Sequence, residues 1–163
     1  MATLVEEFKA AFRGHPAGVA LITAQTPEGP VGLTASSVAS VSLEPLTLSF
    51  SVTKTYGSAG GVLAAQSFLV NLLNDTHAEI AEAFARSGAP RFTSEQGWRA
   101  LPTGEPHLVD APVALRAKPL GIIPAGDARL VLAQVVEVHR GPASAPLIYH
   151  DRTFFSLPAD PAA

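Results

Sequence analysis

Along residues 3–13 the apolar side chains Leu4, Val5, Phe8 and Phe12 recur at three- and four-residue intervals, with Glu6, Glu7, Lys9 and Arg13 between them. That period predicts an amphipathic helix closed by Gly14 and Pro16. From Gly18 the pattern changes to β-branched and alternating residues: GVALITAQT, a turn at residues 27–30, VGLTASSVASVSL, a break at Glu44-Pro45, then LTLSFSVT. These runs predict strands of an antiparallel meander. In the last of them Leu46, Leu48, Phe50 and Val52 alternate with Thr47, Ser49, Ser51 and Thr53, so one face is apolar and the other carries hydroxyls. The hydroxyl face is either solvent-facing or the wall of a ligand site.

A Gly-rich turn is predicted over residues 57–61, followed by a strand SFLVNLL and a helix over residues 76–87, capped by Asp75 or Thr76 and stopped by Gly88. In that helix Ile80, Ala83 and Phe84 share a face, Glu79 follows Thr76 by three as in a capping box, and Glu82 precedes Arg86 by four. Residues 88–112 are rich in Gly, Pro and polar side chains around the lone Trp98, and a long excursion of this kind tends to be functional. VALRAK and residues 129–140 predict two further strands joined by the turn PAGDA, and residues 147–157 a short closing piece. About seven strands, with no helices alternating among the early ones, favour a mainly β antiparallel barrel over a doubly wound sheet.

Composition narrows the function classes. The 163 residues suit one domain, 1–163, and they are 47% hydrophobic but only 15% charged. An average soluble domain is about a quarter charged, so some apolar surface must be hidden. No apolar run approaches the roughly 18 residues of a membrane helix, and Glu6 and Glu7 interrupt any leader-like core. The expectation is a soluble, cytoplasmic protein with no membrane partner. The absence of cysteine removes disulfide frameworks, thiolate zinc sites and a cysteine nucleophile. A net charge of -3, with the basic residues dispersed from Lys9 to Arg152, gives no footprint for nucleic acid. His15, His77, His107, His139 and His150 stand too far apart for short ligand pairs, so no metal is expected.

No G-x-G-x-x-G, Walker loop or G-x-S-x-G occurs. The informative stretch is GLTASS, residues 32–37. Small side chains let a flat ligand approach the backbone, while hydroxyls and main-chain N–H groups donate to carbonyls and phosphates. Alone, this signal is weak, and an ordinary Ser/Thr-rich loop is the favoured reading of the same stretch.

The ordered set PAGVALIT, GLTASSVASVSLEP, the hydroxyl-faced strand ending SVT, FLVNLL, AFARSG, RFTSEQGW, the Gly126-Asp127 turn and PLIYHDR resembles the short-chain flavin reductase family across nearly the whole chain. The resemblance implies a homodimeric FMN-binding split β-barrel with a few short helices. It implies FMN or FAD as cofactor, NADH or NADPH as hydride donor, and a flavin-dependent monooxygenase component as partner. Carried over by position, Thr34, Ala35, Ser36 and Ser37 face the flavin ring and ribityl chain. Ser51, Val52, Thr53 and Ser58 lie on the phosphate side, and Ala85 with Arg86 also reaches the cofactor; a surface ion pair with Glu82 is the other reading of Arg86. No protein nucleophile or acid–base pair is implied, because hydride transfer needs ring stacking and charge stabilisation. Many members carry Gly-Asp-His where this chain has Gly126-Asp127-Ala128, and Tyr-His where it has Phe154-Phe155. Asp127, His150 and Arg152 are the remaining candidates for the nicotinamide side. Two readings follow: a flavin reductase, or a flavin-binding split-barrel protein without efficient reductase activity.

Overall fold

The structure is a computed structural model that describes residues 1–158. It opens with α1 (Leu4–Arg13), where the Thr3 hydroxyl accepts from the Glu6 N–H at 3.2 Å and the Glu6 carboxylate accepts from the Thr3 N–H at 2.7 Å. This reciprocal cap satisfies N-terminal donors that the helix cannot satisfy itself. The apolar stripe Leu4, Val5, Phe8 and Phe12 stays exposed, so local capping and not burial holds this helix in the protomer.

The strands are β1 (Ala17–Gly18), β2 (Ala20–Thr26), β3 (Gly29–Ala35), β4 (Ala39–Leu43), β5 (Leu46–Val52), β6 (Phe68–Leu72), β7 (Trp98–Ala100), β8 (Pro106–Leu108), β9 (Val113–Ala125), β10 (Ala128–Arg140), β11 (Leu147–His150) and β12 (Thr153–Ser156). Two more helices are α2 (Gly57–Ala64) and α3 (Ala78–Ala85). Seven strands make one antiparallel sheet in the order β3-β2-β6-β9-β10-β5-β4. Its two edge strands, β3 and β4, are consecutive in the chain and separated only by residues 36–38. So short a link forces the ends of the sheet towards each other.

Burial on β2 explains its role. Ala20, Ile22 and Ala24 point to one cluster with Leu48, Phe50, Phe68, Val70 and Val131, while Leu21 points to a second with Ile80, Phe84, Leu108 and Leu147. Period-two alternation puts apolar groups on both faces, so this strand is sandwiched and not half-solvated. The β7–β8 hairpin covers the second face and is fastened by polar groups. The Thr23 hydroxyl donates to the Pro106 carbonyl at 2.6 Å, and the Asn71 side chain accepts from the Leu108 N–H at 3.1 Å.

Several sequence expectations shift. The mainly β, antiparallel class with few short helices holds, but the described residues form twelve strands instead of about seven, seven of them in the main sheet. Residues 57–61 open α2 and do not form a simple turn. Their glycines permit close packing: a Cβ on Gly61 would lie 2.9 Å from Val31 and one on Gly60 would lie 2.7 Å from the Thr55 carbonyl. The helix predicted over residues 76–87 is a 3-10 turn at Asp75–His77 followed by α3, which ends at Ala85. Its cap is Asn74, whose side chain accepts from the Thr76 N–H at 2.9 Å, while His77 Nδ1 accepts from the Asn74 N–H at 3.1 Å. Burial pushes the His77 imidazole below its usual value despite Asp110 and Asp75, in keeping with a neutral acceptor there.

The strand VALRAK extends to Ala125, through Pro119 and Gly121, because a register shift opposite Leu132 and Ala133 lets the ladder to β10 continue past the proline. Leu46 is exposed and Thr47 buried, so the alternation of β5 holds only from Leu48 to Val52. Among the described residues no helix is long and apolar enough to cross a membrane.

Candidate functional site

A cleft of about 450 Å³ opens where β3, the link of residues 36–38, the end of β5, the start of α2 and the end of α3 converge. It is lined by Thr34, Ala35, Ser36 and Ser37 on one side and by Ser51, Val52 and Thr53 on another. Gly57, Ser58 and Ala59 of α2, Phe84 and Ala85 of α3, and Lys54, Ser87 and Arg91 complete it. The sheet curl brings these segments together, since β3 and β5 lie near opposite ends of the ladder.

Each wall is fixed locally. The Thr34 hydroxyl donates to the Ala81 carbonyl at 2.6 Å, tying β3 to α3 and leaving its oxygen lone pairs for a ligand. Ser37 clasps β5: its hydroxyl accepts from the Ser51 N–H at 2.9 Å and reaches the Ser51 carbonyl at 3.4 Å. Ser36, Ser51 and Thr53 are exposed to the cleft side. Gly32 forms part of the floor directly against Phe84, where an added Cβ would meet the ring at 2.8 Å. Phe84 in turn stacks edge-on with Phe92 and tilts against Trp98, with ring centroids 4.9 and 5.5 Å away.

The electrostatics favour an anion. The N-cap of α2 is Tyr56, which supplies no side-chain cap, and the first-turn residues Gly57, Ser58 and Ala59 line the cleft at the positive end of the helix dipole. Among the described residues two cations, Lys54 and Arg91, line the cleft and no carboxylate does. The Arg91 guanidinium lies 5.3 Å from the centre of the Phe84 ring and caps the end of α3 by donating to the carbonyls of Phe84 at 3.2 Å and Arg86 at 2.8 Å.

Every predicted cofactor residue except Arg86 lines this cleft. The Arg86 side chain is turned outward into a 2.6 Å ion pair with Glu82, the i, i+4 partner, and only its carbonyl is engaged by Arg91. The cleft cations that the sequence reading missed are therefore Lys54 and Arg91, and Arg91 is the one that takes the place expected of Arg86. The signal available was the RF pair after the Gly-Pro break, but a single arginine in a loop does not announce its tertiary partners. Asp127 sits exposed at the β9–β10 turn, close to the cleft, since Arg129 pairs with Val52. His150 and Arg152 lie apart from it on the β11–β12 hairpin; Arg152 lines a groove against α1 with Phe8, Phe12 and Tyr149.

A curled antiparallel sheet with a hydroxyl-lined, cation-bearing cleft at its edge strands places the chain in a class of mainly β proteins. Residues 12–158 match the flavin reductase like domain family, and the chain belongs to it. The chain is 42% identical over 153 residues to the NADH:FMN oxidoreductase of Rhodococcus qingshengii, covering 91% of this chain and 80% of that one. Among solved structures it is similar to the NADH:FAD oxidoreductase SgcE6 of Streptomyces globisporus in complex with NAD and FAD fragments, with TM-score 0.86, 25% identity and coverage of 95% and 93%. It is also similar to BorF, the flavin reductase component of a bacterial two-component tryptophan halogenase, with TM-score 0.86, 25% identity and coverage of 96% and 99%.

Proposed function

We propose that this protein is an NAD(P)H-dependent flavin reductase that transfers hydride from reduced nicotinamide to FMN or FAD and supplies the reduced flavin to a separate flavin-dependent monooxygenase component. The observation that carries this reading is the cleft where a hydroxyl-lined wall meets an uncapped helix N-terminus and two cations with no carboxylate. Flavin fits that donor set: residues Thr34 to Ser37 would hold the ring and ribityl side, and Ser51, Val52, Thr53 and Ser58 the phosphate side. When bound, flavin supplies the hydride acceptor. The protein's own groups bind and orient. Backbone N–H groups of residues 35–37 and the hydroxyls of Ser36 and Ser37 would stabilise charge on the ring, and Val52 and Phe84 are the apolar members of the cleft wall and floor. Asp127 is the candidate on the nicotinamide side.

The test mixes purified protein anaerobically with free FMN or FAD and then with NADH and NADPH in turn. Rapid loss of the oxidised flavin absorbance is expected. Binding of flavin without reduction by either nucleotide would instead support a flavin-binding protein without efficient reductase activity, and no binding at all would overturn the site.

The same reading includes a split β-barrel and a homodimer. Both ends of the sheet pack on one cluster, with Ala20, Ile22 and Ala35 from one end and Leu48 and Phe50 from the other, and the Ser37–Ser51 clasp bridges the gap. Continuous with that cluster through Ala20 and Leu48, an apolar groove runs past Leu43, Leu46, Leu72, Leu115, Val135 and Val138. A second copy covering it accounts for the low charge content, since stable homodimer interfaces are large and apolar. Light scattering after gel filtration is expected to give a dimer mass; a persistent monomer on dilution would remove this part of the reading.

A further inference from the structure

Arg91 has five N–H donors, and the fold engages all of them internally. Nε donates to the Ala83 carbonyl at 3.4 Å, one terminal nitrogen to the Gly32 carbonyl at 3.2 Å and the Ser58 hydroxyl at 3.0 Å, and the other to the Phe84 and Arg86 carbonyls at 3.2 and 2.8 Å. Four of the acceptors are backbone carbonyls on β3 and at the end of α3. The fifth is a side chain on the first turn of α2. No donor is left over to bind a ligand directly.

Ser58 is the member whose chemistry is altered by this arrangement. A hydroxyl has one proton and two lone pairs. With a charged N–H occupying a lone pair, the hydroxyl proton is directed away from Arg91, and Ser58 makes no other hydrogen bond among the described residues. It lines the cleft beside the uncapped N–H groups of α2. A donor polarised by a guanidinium, aimed into a concave site with helix N–H groups alongside, suits a phosphate oxygen.

We propose that Arg91 is a positioning residue that fixes the Ser58 hydroxyl as a donor to the flavin phosphate, so that the pair sets the preference for phosphorylated flavin over riboflavin. The inference rests on the flavin-binding reading above. Riboflavin shares the ring and ribityl chain with FMN but lacks the phosphate, so the ratio of the two affinities isolates the phosphate end.

The experiment titrates FMN and riboflavin into wild type, Ser58→Ala, Arg91→Gln and the double variant, following flavin fluorescence. Ser58→Ala is expected to weaken FMN by about tenfold or more, the size of one hydrogen bond to a charged group, with riboflavin changed less than about twofold. Arg91→Gln is expected to lower the FMN-to-riboflavin preference likewise, and in the Ser58→Ala background to lower it little further. If the two substitutions instead multiply, Arg91 acts on the phosphate by charge alone; if riboflavin falls in parallel with FMN, its role is only structural. Either result overturns the proposal. Should Arg91→Gln fail to fold, Ser58→Ala decides alone, because an unchanged preference in that variant also overturns it. Wild type that binds neither flavin would remove the underlying reading instead.

Discussion

Gly32→Ala is expected to weaken flavin binding by about a hundredfold, roughly 3 kcal/mol, the upper end of what overpacking a tight site costs. The added methyl would lie 2.8 Å from one carbon of the Phe84 ring and 3.3 Å from Phe92. Phe84 cannot retreat, because it is 2% exposed and is wedged between Phe92 and Trp98. The strain therefore falls on β3 itself or on the Arg91 bond to the Gly32 carbonyl, and both form the cleft. Flavin fluorescence titration checks the loss, with Gly121→Ala as the control, since nothing lies within 4 Å of a Cβ at Gly121. An affinity within threefold of wild type would show that Phe84 can yield after all, and the floor of the cleft would have to be redrawn.

Glu105→Gln is expected to destabilise the fold by about 3–5 kcal/mol at neutral pH, the cost of removing one partner from a buried ion pair. Glu105 is 2% exposed and accepts from Arg116 Nε at 2.8 Å and from the hydroxyls of Ser67 and Thr103. Arg116 would retain only its 3.4 Å contact with Glu137 as an ionic partner. Burial pushes the Glu105 carboxyl up, but hydrogen bonds from Ser67, Thr103, its own backbone and Arg116 outweigh it and hold the group down at about 2, against 4.5 ordinarily.

A depressed carboxylate contributes stability that is fully present above the unfolded value and is lost as pH falls through the folded one. The wild type should therefore lose on the order of 3 kcal/mol between pH 4.5 and about 2, a loss the glutamine variant should lack. Urea unfolding at pH 7 and at successively lower pH measures both effects. Equal pH slopes for wild type and variant would sink the assignment. The network lies behind α2, where Ser67 and Glu105 border a second cavity with Gly61 and Ala65, so its loss should also loosen the helix that carries Ser58.

Local pattern was sufficient wherever a residue's role depends on near neighbours. Helix α1 was legible because its stripe recurs at three- and four-residue intervals and its stop lies directly after it, although its Thr3–Glu6 cap was not read. The Glu82–Arg86 pair was legible for the same reason. Residues 57–61 were misread because glycine reports a backbone freedom, not its use. There the use is close approach of α2 to Val31, which a loop sequence does not reveal. The long excursion of residues 88–112 conceals a hairpin for a similar reason: its strands are short, and they are held by Thr23 and Asn71 from distant strands.

The sequence by itself determined the mainly β class, most strands of the main sheet, the hydroxyl-rich segments and, through motif order, the family. What it left undecided is which segments meet. Thr34, Ser51, Ser58 and Arg91 are scattered over residues 34–91, yet they line one cleft because the sheet places its consecutive edge strands at opposite ends and then curls them together. The two readings of Arg86, cofactor contact or surface ion pair, were separated the same way. Arg86 has a carboxylate one helical turn away and turns outward to it, while Arg91 finds its acceptors only where α2, α3 and β3 converge, an arrangement that exists only after long-range packing.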